Sequence, residues 1–246
     1  MTPFFFGTSG RRLFGVYEPA GASTSGQRAA ILCYPWGAEY LYAHRTLRQL
    51  ALKLSRVGFH TLRFDYYGTG DSGGEPTDTD LTGCEADLET GIAELMEITG
   101  LAKVTVIGLR LGGAVAARVA LRLSSVIEAL VLWDPIVFGP EYLNSLGVPS
   151  NTTSLLQAQG FPLTERMLGQ LGELDLRELT LKLQPRTLFL VTEQLSSLGT
   201  LVPSRRQKPG ALSMEFLQDV RPWLESSVVS GMVPFAVLRR ILSRLE

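Results

Sequence analysis

The sequence predicts an α/β protein with a mostly parallel central sheet and helices on both faces. Three observations carry this. Strand-like and helix-like segments alternate along the 246 residues, the order that builds βαβ units. The inner strands read as short runs without polar alternation, as strands buried on both faces do. Apolar residues make up 45% of the chain and charged residues 19%, enough to fill a large core and to exclude disorder as the main state.

The elements follow in order. Phe4–Phe6 and Arg12–Tyr17, joined by Gly7-Thr8-Ser9-Gly10, predict a β-hairpin. Gly21–Gln27 is small and polar, a loop. Ala29–Tyr34 is an apolar run stopped by Pro35, a buried strand. Ala43–Arg56 carries Leu47, Leu50, Ala51 and Leu54 at helical spacing and ends at Gly58. Phe59–Phe64 is the next strand, and Asp65–Gly70 leaves it as a loop. Leu81–Thr99 is a helix with Leu88, Ile92 and Leu95 on one face. Lys103–Ile107 is a strand, Gly113–Leu123 an Ala-rich helix, and Ala129–Trp133, Thr187–Val191 and Ala211–Phe216 are further strands. Pro234–Leu245 is an amphipathic helix expected to close the sheet. Only Gly139–Pro185 interrupts the alternation, with a helix from Thr164 to about Leu171. At roughly 150 residues per domain, the length suits one large domain with an insertion. The expected division is a core of residues 1–138 and 186–246 with a cap at 139–185.

Composition narrows the function classes. With 23 Lys+Arg against 24 Asp+Glu, no basic excess points to nucleic acid. The apolar runs fall short of the ~18 residues of a membrane span. No basic segment precedes an apolar one after Met1, and Cys33 and Cys84 are too few for a disulfide scaffold, so a cytoplasmic location is expected. His44 and His60 have no close metal-ligating partner, and there is no Walker motif or dinucleotide fingerprint. No metal and no cofactor are therefore expected.

In an open α/β sheet, ligands sit at the carboxyl ends of the strands. After the Lys103–Ile107 strand comes Gly108-Leu109-Arg110-Leu111-Gly112-Gly113 and then a helix. Strand, Gly-x-x-x-Gly, helix is the setting of a nucleophile elbow, whose central residue stands above the sheet at a helix N-terminus. Here the chain resembles the α/β-hydrolase superfamily over nearly its whole length. Arg63–Ser72 is similar to the D-x-x-G-x-G-x-S loop of the lysophospholipase and serine-aminopeptidase-like branch, and Tyr34-Pro35-Trp36-Gly37 sits where that fold has its oxyanion loop. Gly108–Gly112 and Trp133-Asp134-Pro135 resemble more narrowly the hydrolase-like proteins of exosortase systems. That resemblance implies polysaccharide-export or secondary-metabolite settings, and hence a biosynthetic role.

The residue at the elbow's centre is Arg110, where the family carries a nucleophile, and a protonated guanidinium has no lone pair with which to attack. The family's base histidine follows the last strand, but both histidines of this chain precede residue 61. Asp219 or Glu193 could stand at an acid-like position, yet would orient no base. Triad members act as a unit, so Ser-His-Asp hydrolysis is not expected.

Arg110 can act as an anion clamp at a helix N-terminus or form an internal pair with Glu39, Asp65 or Asp134. His44 is the candidate imidazole, as proton shuttle or as a hydrogen-bonded residue at a helix start. Glu39 and Asp65 are candidate acid–base groups, and Asp65 alternatively holds the Gly-rich turn. Trp36, Gly37, Tyr67, Leu111 and Asp134 are the candidate ligand contacts. Gly70–Gly74 spells the G-D-S-G-G of trypsin-like proteases, but 28 positions between His44 and Ser72 cannot hold two β-barrels.

Three functions stand open at this point. The first is binding or transforming a small acyl or carboxylate-bearing molecule at Arg110. The second is proton transfer, cyclisation or lyase chemistry using Arg110 with His44, Glu39 or Asp65. The third is a protein-interaction module built on the cap and the Phe-rich hairpin, and both monomer and homodimer fit the sequence.

Overall fold

A computed structural model describes residues 1–21, 27–149, 155–178, 182–183, 186–192, 212–224 and 232–246. Its centre is an eight-stranded sheet ordered β1-β2-β4-β3-β5-β6-β9-β10. The chain enters through β1 (Thr2–Thr8) and β2 (Arg11–Glu18), an antiparallel hairpin that pairs with β4 (Phe59–Phe64). From β4 through β3 (Arg28–Cys33), β5 (Val104–Leu109), β6 (Ile127–Trp133), β9 (Arg186–Val191) and β10 (Leu212–Phe216), every pairing is parallel.

The apolar runs explain this order. All residues of β5 are buried, as are all but one of β6 and β9, because helices cover both faces. Trp133, Phe189, Ile31 and Leu32 fill the middle of the core. Side chains of this kind contribute roughly 1.5–3 kcal/mol each on burial. The helices flanking the inner strands are α1 (Ala38–Arg56), α2 (Leu81–Thr99) and α3 (Leu111–Arg122). Asp80 caps α2 by accepting from the Gly83 amide at 2.9 Å, and Gly100 ends it with φ 69°.

Most observed boundaries lie within two residues of the expected ones. The exception is α1, which starts at Ala38 rather than Ala43. Residues 38–42 lack a clean apolar stripe, and Leu41 is 57% exposed, so periodicity gave no sign of the first turn. Gly37 (φ 67°) lets the chain turn from β3 directly into the helix.

Between β6 and β9 the described residues form α4 (Gly139–Ser145), a small hairpin of β7 (Leu156–Ala158) and β8 (Phe161–Leu163), and α5 (Glu165–Gly172). The helix expected at Thr164 is α5, with Thr164 as its N-cap. The last helix, α6 (Phe235–Leu245), buries Val237, Leu238, Ile241 and Leu245, as its amphipathic pattern predicts. No helix of the described residues is long and apolar enough to cross a membrane. Most of the Gly21–Gln27 loop, and parts of the 139–185 segment, lie outside the described residues.

Candidate functional site

The elbow forms because glycines let three backbones meet. A Cβ on Gly108 would lie 2.3 Å from the Gly112 carbonyl oxygen. One on Gly112 would lie 2.4 Å from the carbonyl oxygen of Cys33 at the end of β3. Arg110 sits between them at φ 54°, ψ −118°, a conformation costing a non-glycine residue roughly 1–3 kcal/mol. It is held there from both sides. Its amide donates to the Trp133 carbonyl at 3.0 Å, and its own carbonyl accepts from the amides of Gly113 and Ile136 at 2.9 and 3.2 Å.

Arg110 is buried and makes an internal pair. Its Nε donates to Glu39 Oε1 at 3.0 Å. Tyr142, from α4, donates through its hydroxyl to Glu39 Oε2 at 3.4 Å. The guanidinium carbon lies 5.7 Å from the centre of the Tyr142 ring and 5.2 Å from that of Trp223, within cation–π range. Trp223 in turn meets Trp133 edge-on at 6.4 Å. Nη1 of Arg110 is buried with no hydrogen-bond partner among the described residues.

Electrostatics fix the protonation of this cluster. Burial pushes the Arg110 guanidinium down, but the charge and hydrogen bond of Glu39 together with the electrostatic influence of Tyr142 and Asp134 outweigh it, and the group stays charged. Burial, reinforced by the Glu39 charge, raises the Tyr142 phenol well above its ordinary value, so it remains a donor. Beside the cluster is a cavity of about 350 Å³ lined by Glu39, Tyr42, Gln159, Trp223 and Leu224.

His44 and Asp65 belong to a different group. Asp65 is buried and accepts from the Tyr40 hydroxyl at 2.8 Å and from the Asp71 amide at 3.0 Å, bracing the Gly-rich loop. Burial raises its pKa, against the lowering effect of those hydrogen bonds. His44 lies on an exposed position of α1 and stacks on Tyr34, with centroids 5.7 Å apart. Desolvation against its neighbours, with the charges of Arg63 and Arg48, lowers its pKa. Helix geometry separates the two groups. At 100° per residue, Glu39 and His44 point about 140° apart, while Tyr40 and His44 share a face.

The other candidates are dispersed. Trp36 is 5% exposed and packs against Phe161 of β8 at 6.2 Å. Gly37 is the N-cap of α1, and Leu111 is the buried first residue of α3. Tyr67 faces the N-terminal hairpin, its ring 4.6 Å from the Arg11 guanidinium carbon and its amide donating to Asp87 at 2.9 Å. Asp134 is fully buried (φ 39°) and accepts from the amide and hydroxyl of Thr192 at 2.7 and 2.8 Å, tying the end of β6 to that of β9. Asp219 accepts from the Val220 amide at 2.7 Å and from that of Val237 in α6 at 3.0 Å. Glu193 lies outside the described residues. His60 hydrogen-bonds Tyr17 and Gln27 at the far end of β4. The two cysteines are free and buried, and burial pushes the Cys33 thiol up to about 12, which leaves no thiolate near neutrality.

Sequence reasoning missed Trp223 and Tyr142. Trp223 stands in the loop after β10, the loop from which the resemblance expects a base histidine, and the aromatic there was the only available signal. Tyr142 carried none, because its contact depends on the path of the chain after β6.

Residues 31–226 match the alpha/beta hydrolase fold family. No curated relative matches the chain. Among solved structures, Est1E from Butyrivibrio proteoclasticus with bound ferulic acid is 17% identical, with a TM-score of 0.71 over 98% of this chain and 99% of that one. A hydrolase from Pseudomonas aeruginosa is 20% identical, with a TM-score of 0.65 over 99% and 98%. The proline iminopeptidase of Mycobacterium smegmatis is 11% identical, with a TM-score of 0.70 over 99% and 97%. At such identities these likenesses concern the fold alone. The strand order, the elbow and the family match over most of the length lead to one conclusion: the chain belongs to the alpha/beta hydrolase fold family.

Proposed function

We propose that this protein binds a small acyl or carboxylate-bearing molecule beside Arg110 and performs no Ser-His-Asp hydrolysis. One observation supports the reading above the others. A charged guanidinium occupies the elbow's central position, spends its Nε on Glu39 and leaves Nη1 without a hydrogen-bond partner among the described residues, while its neighbours Glu39 and Trp223 line a cavity of about 350 Å³. A guanidinium offers five donors, and a carboxylate takes two of them side by side. Trp223 covers the cation, so a ligand reaching Nη1 displaces that indole or slides along it. In this reading the 139–185 segment is the cap, and the protein is cytoplasmic with no cofactor, on the sequence grounds given above.

Two results are expected. In titration calorimetry with acetate, butyrate and benzoate, Arg110→Lys weakens carboxylate binding about tenfold, because an ammonium keeps the charge and loses the fork. Equal affinity in the variant would remove Arg110 from recognition. Aryl esters and acyl thioesters show no turnover above the uncatalysed rate, since the elbow supplies neither a nucleophile nor an adjacent imidazole. Saturable hydrolysis that survives in the variant would overturn the non-hydrolytic reading.

A further inference from the structure

A second chamber shares no lining residue with the cavity beside the Arg110 cluster. It has a volume of about 150 Å³ and sits between the start of α1, the Gly68-Thr69-Gly70 loop and the β7–β8 hairpin. Trp36, Tyr40 and Phe161 give it aromatic walls, Pro162 adds to the roof, and Leu41 stands at its edge. The lining is almost entirely apolar.

The three hydroxyls that line it are already engaged. The Tyr40 hydroxyl donates to Asp65 at 2.8 Å. The Thr69 hydroxyl donates to the Tyr66 carbonyl at 2.6 Å, and the Thr79 hydroxyl to the Tyr67 carbonyl at 3.0 Å. Apart from the Trp36 indole N–H, the lining side chains leave an occupant no free proton to accept, and a charged group would lose its hydration there for little in return. Size sets the other limit. An engineered apolar cavity of about 150 Å³ in another protein binds benzene. Flat aromatic walls favour a ring, through offset or edge contacts worth roughly 0.5–1.5 kcal/mol per pair beyond area.

We propose that this chamber is a binding site for an uncharged, ring-sized apolar group such as a monocyclic aryl. The proposal stands apart from the carboxylate reading at Arg110. It concerns different residues and a ligand of different charge.

The tryptophans make the two sites separately visible. The chain has three, at positions 36, 133 and 223. Trp36 lines this chamber, while Trp223 lines the cavity beside Arg110. Protein labelled with 5-fluorotryptophan, its lines assigned by single Trp→Phe variants, is titrated with toluene and separately with benzoate.

The expected result is a saturable shift of the Trp36 line with toluene while the Trp223 line stays in place. Affinity for benzoate at the Trp36 line is expected to be at least about tenfold weaker. Phe161→Ala removes one wall and is expected to weaken toluene binding about three- to tenfold. Because that variant can also disturb the hairpin, Leu41→Phe serves beside it. Leu41 is 57% exposed, so a larger ring there narrows the edge of the chamber without touching the core, and toluene is expected to bind more weakly. A Trp36 line that is still up to toluene saturation overturns the proposal. So does a shift confined to Trp223, an equal or stronger response to benzoate, or unchanged toluene affinity in both variants. The carboxylate reading fails separately, on benzoate leaving the Trp223 line unmoved.

Discussion

Glu39→Ala is expected to destabilise the protein by about 3–5 kcal/mol, the usual cost of leaving one member of a buried ion pair without its partner. The side chains of Arg110 and Glu39 are 7% and 9% exposed, so the pair is largely withdrawn from water. Tyr142 also loses its acceptor, adding a buried hydroxyl to the deficit. The test is urea unfolding of the wild type, Glu39→Ala, Arg110→Met and the double variant, with slopes compared so that midpoint shifts report stability. The double variant is expected to lie above Glu39→Ala by about 1 kcal/mol or more, because no charge remains buried alone. A Glu39→Ala loss within about 1 kcal/mol would mean that the pair is solvated and that Arg110 does not depend on Glu39 for its charge.

Gly112→Ala is expected to cost about 3 kcal/mol or more, or to prevent folding. The added methyl would stand 2.4 and 2.5 Å from the carbonyl oxygens of Cys33 and Tyr34. Neither oxygen can retreat easily, since Cys33 ends a strand at the centre of the sheet and Tyr34, the next residue, is buried as well. The informative control is Gly169→Ala. That glycine lies on the exposed side of α5 with open space where its Cβ would go. There the same substitution should stabilise by about 0.5–1 kcal/mol, through helix propensity alone. Thermal unfolding of both variants gives the contrast. Similar Tm values would show that α3 can shift away from β3 and that the elbow is not tightly packed.

How much of this was legible in the sequence depends on range. Strands β3, β5, β6 and β9 were legible because burial on both faces leaves a continuous apolar run. The elbow was legible because Gly108 and Gly112 mark a strand-to-helix turn that side chains would obstruct. The start of α1 was not, since its first turn projects Leu41 to solvent and Glu39 inward, against the amphipathic rule. That displacement matters for function. It set Glu39, His44 and Asp65 in a single list of acid–base candidates, whereas the helix sends Glu39 to Arg110 and leaves His44 with Tyr34 on the side of Asp65.

By itself the sequence determined which chemistry Arg110 can offer. An arginine at the elbow is a cation and a hydrogen-bond donor in any fold, and no histidine follows residue 60. It determined the parallel sheet too, because strand burial and crossover helices are written in local patterns a few residues long. Only the tertiary structure decided what surrounds that cation: Glu39 from α1, Tyr142 from α4 and Trp223 from the loop beyond β10. These residues are separated from Arg110 by 71, 32 and 113 positions. No local periodicity encodes contacts at such separations. They arise when the strands stack in register and bring distant loops to one end of the sheet.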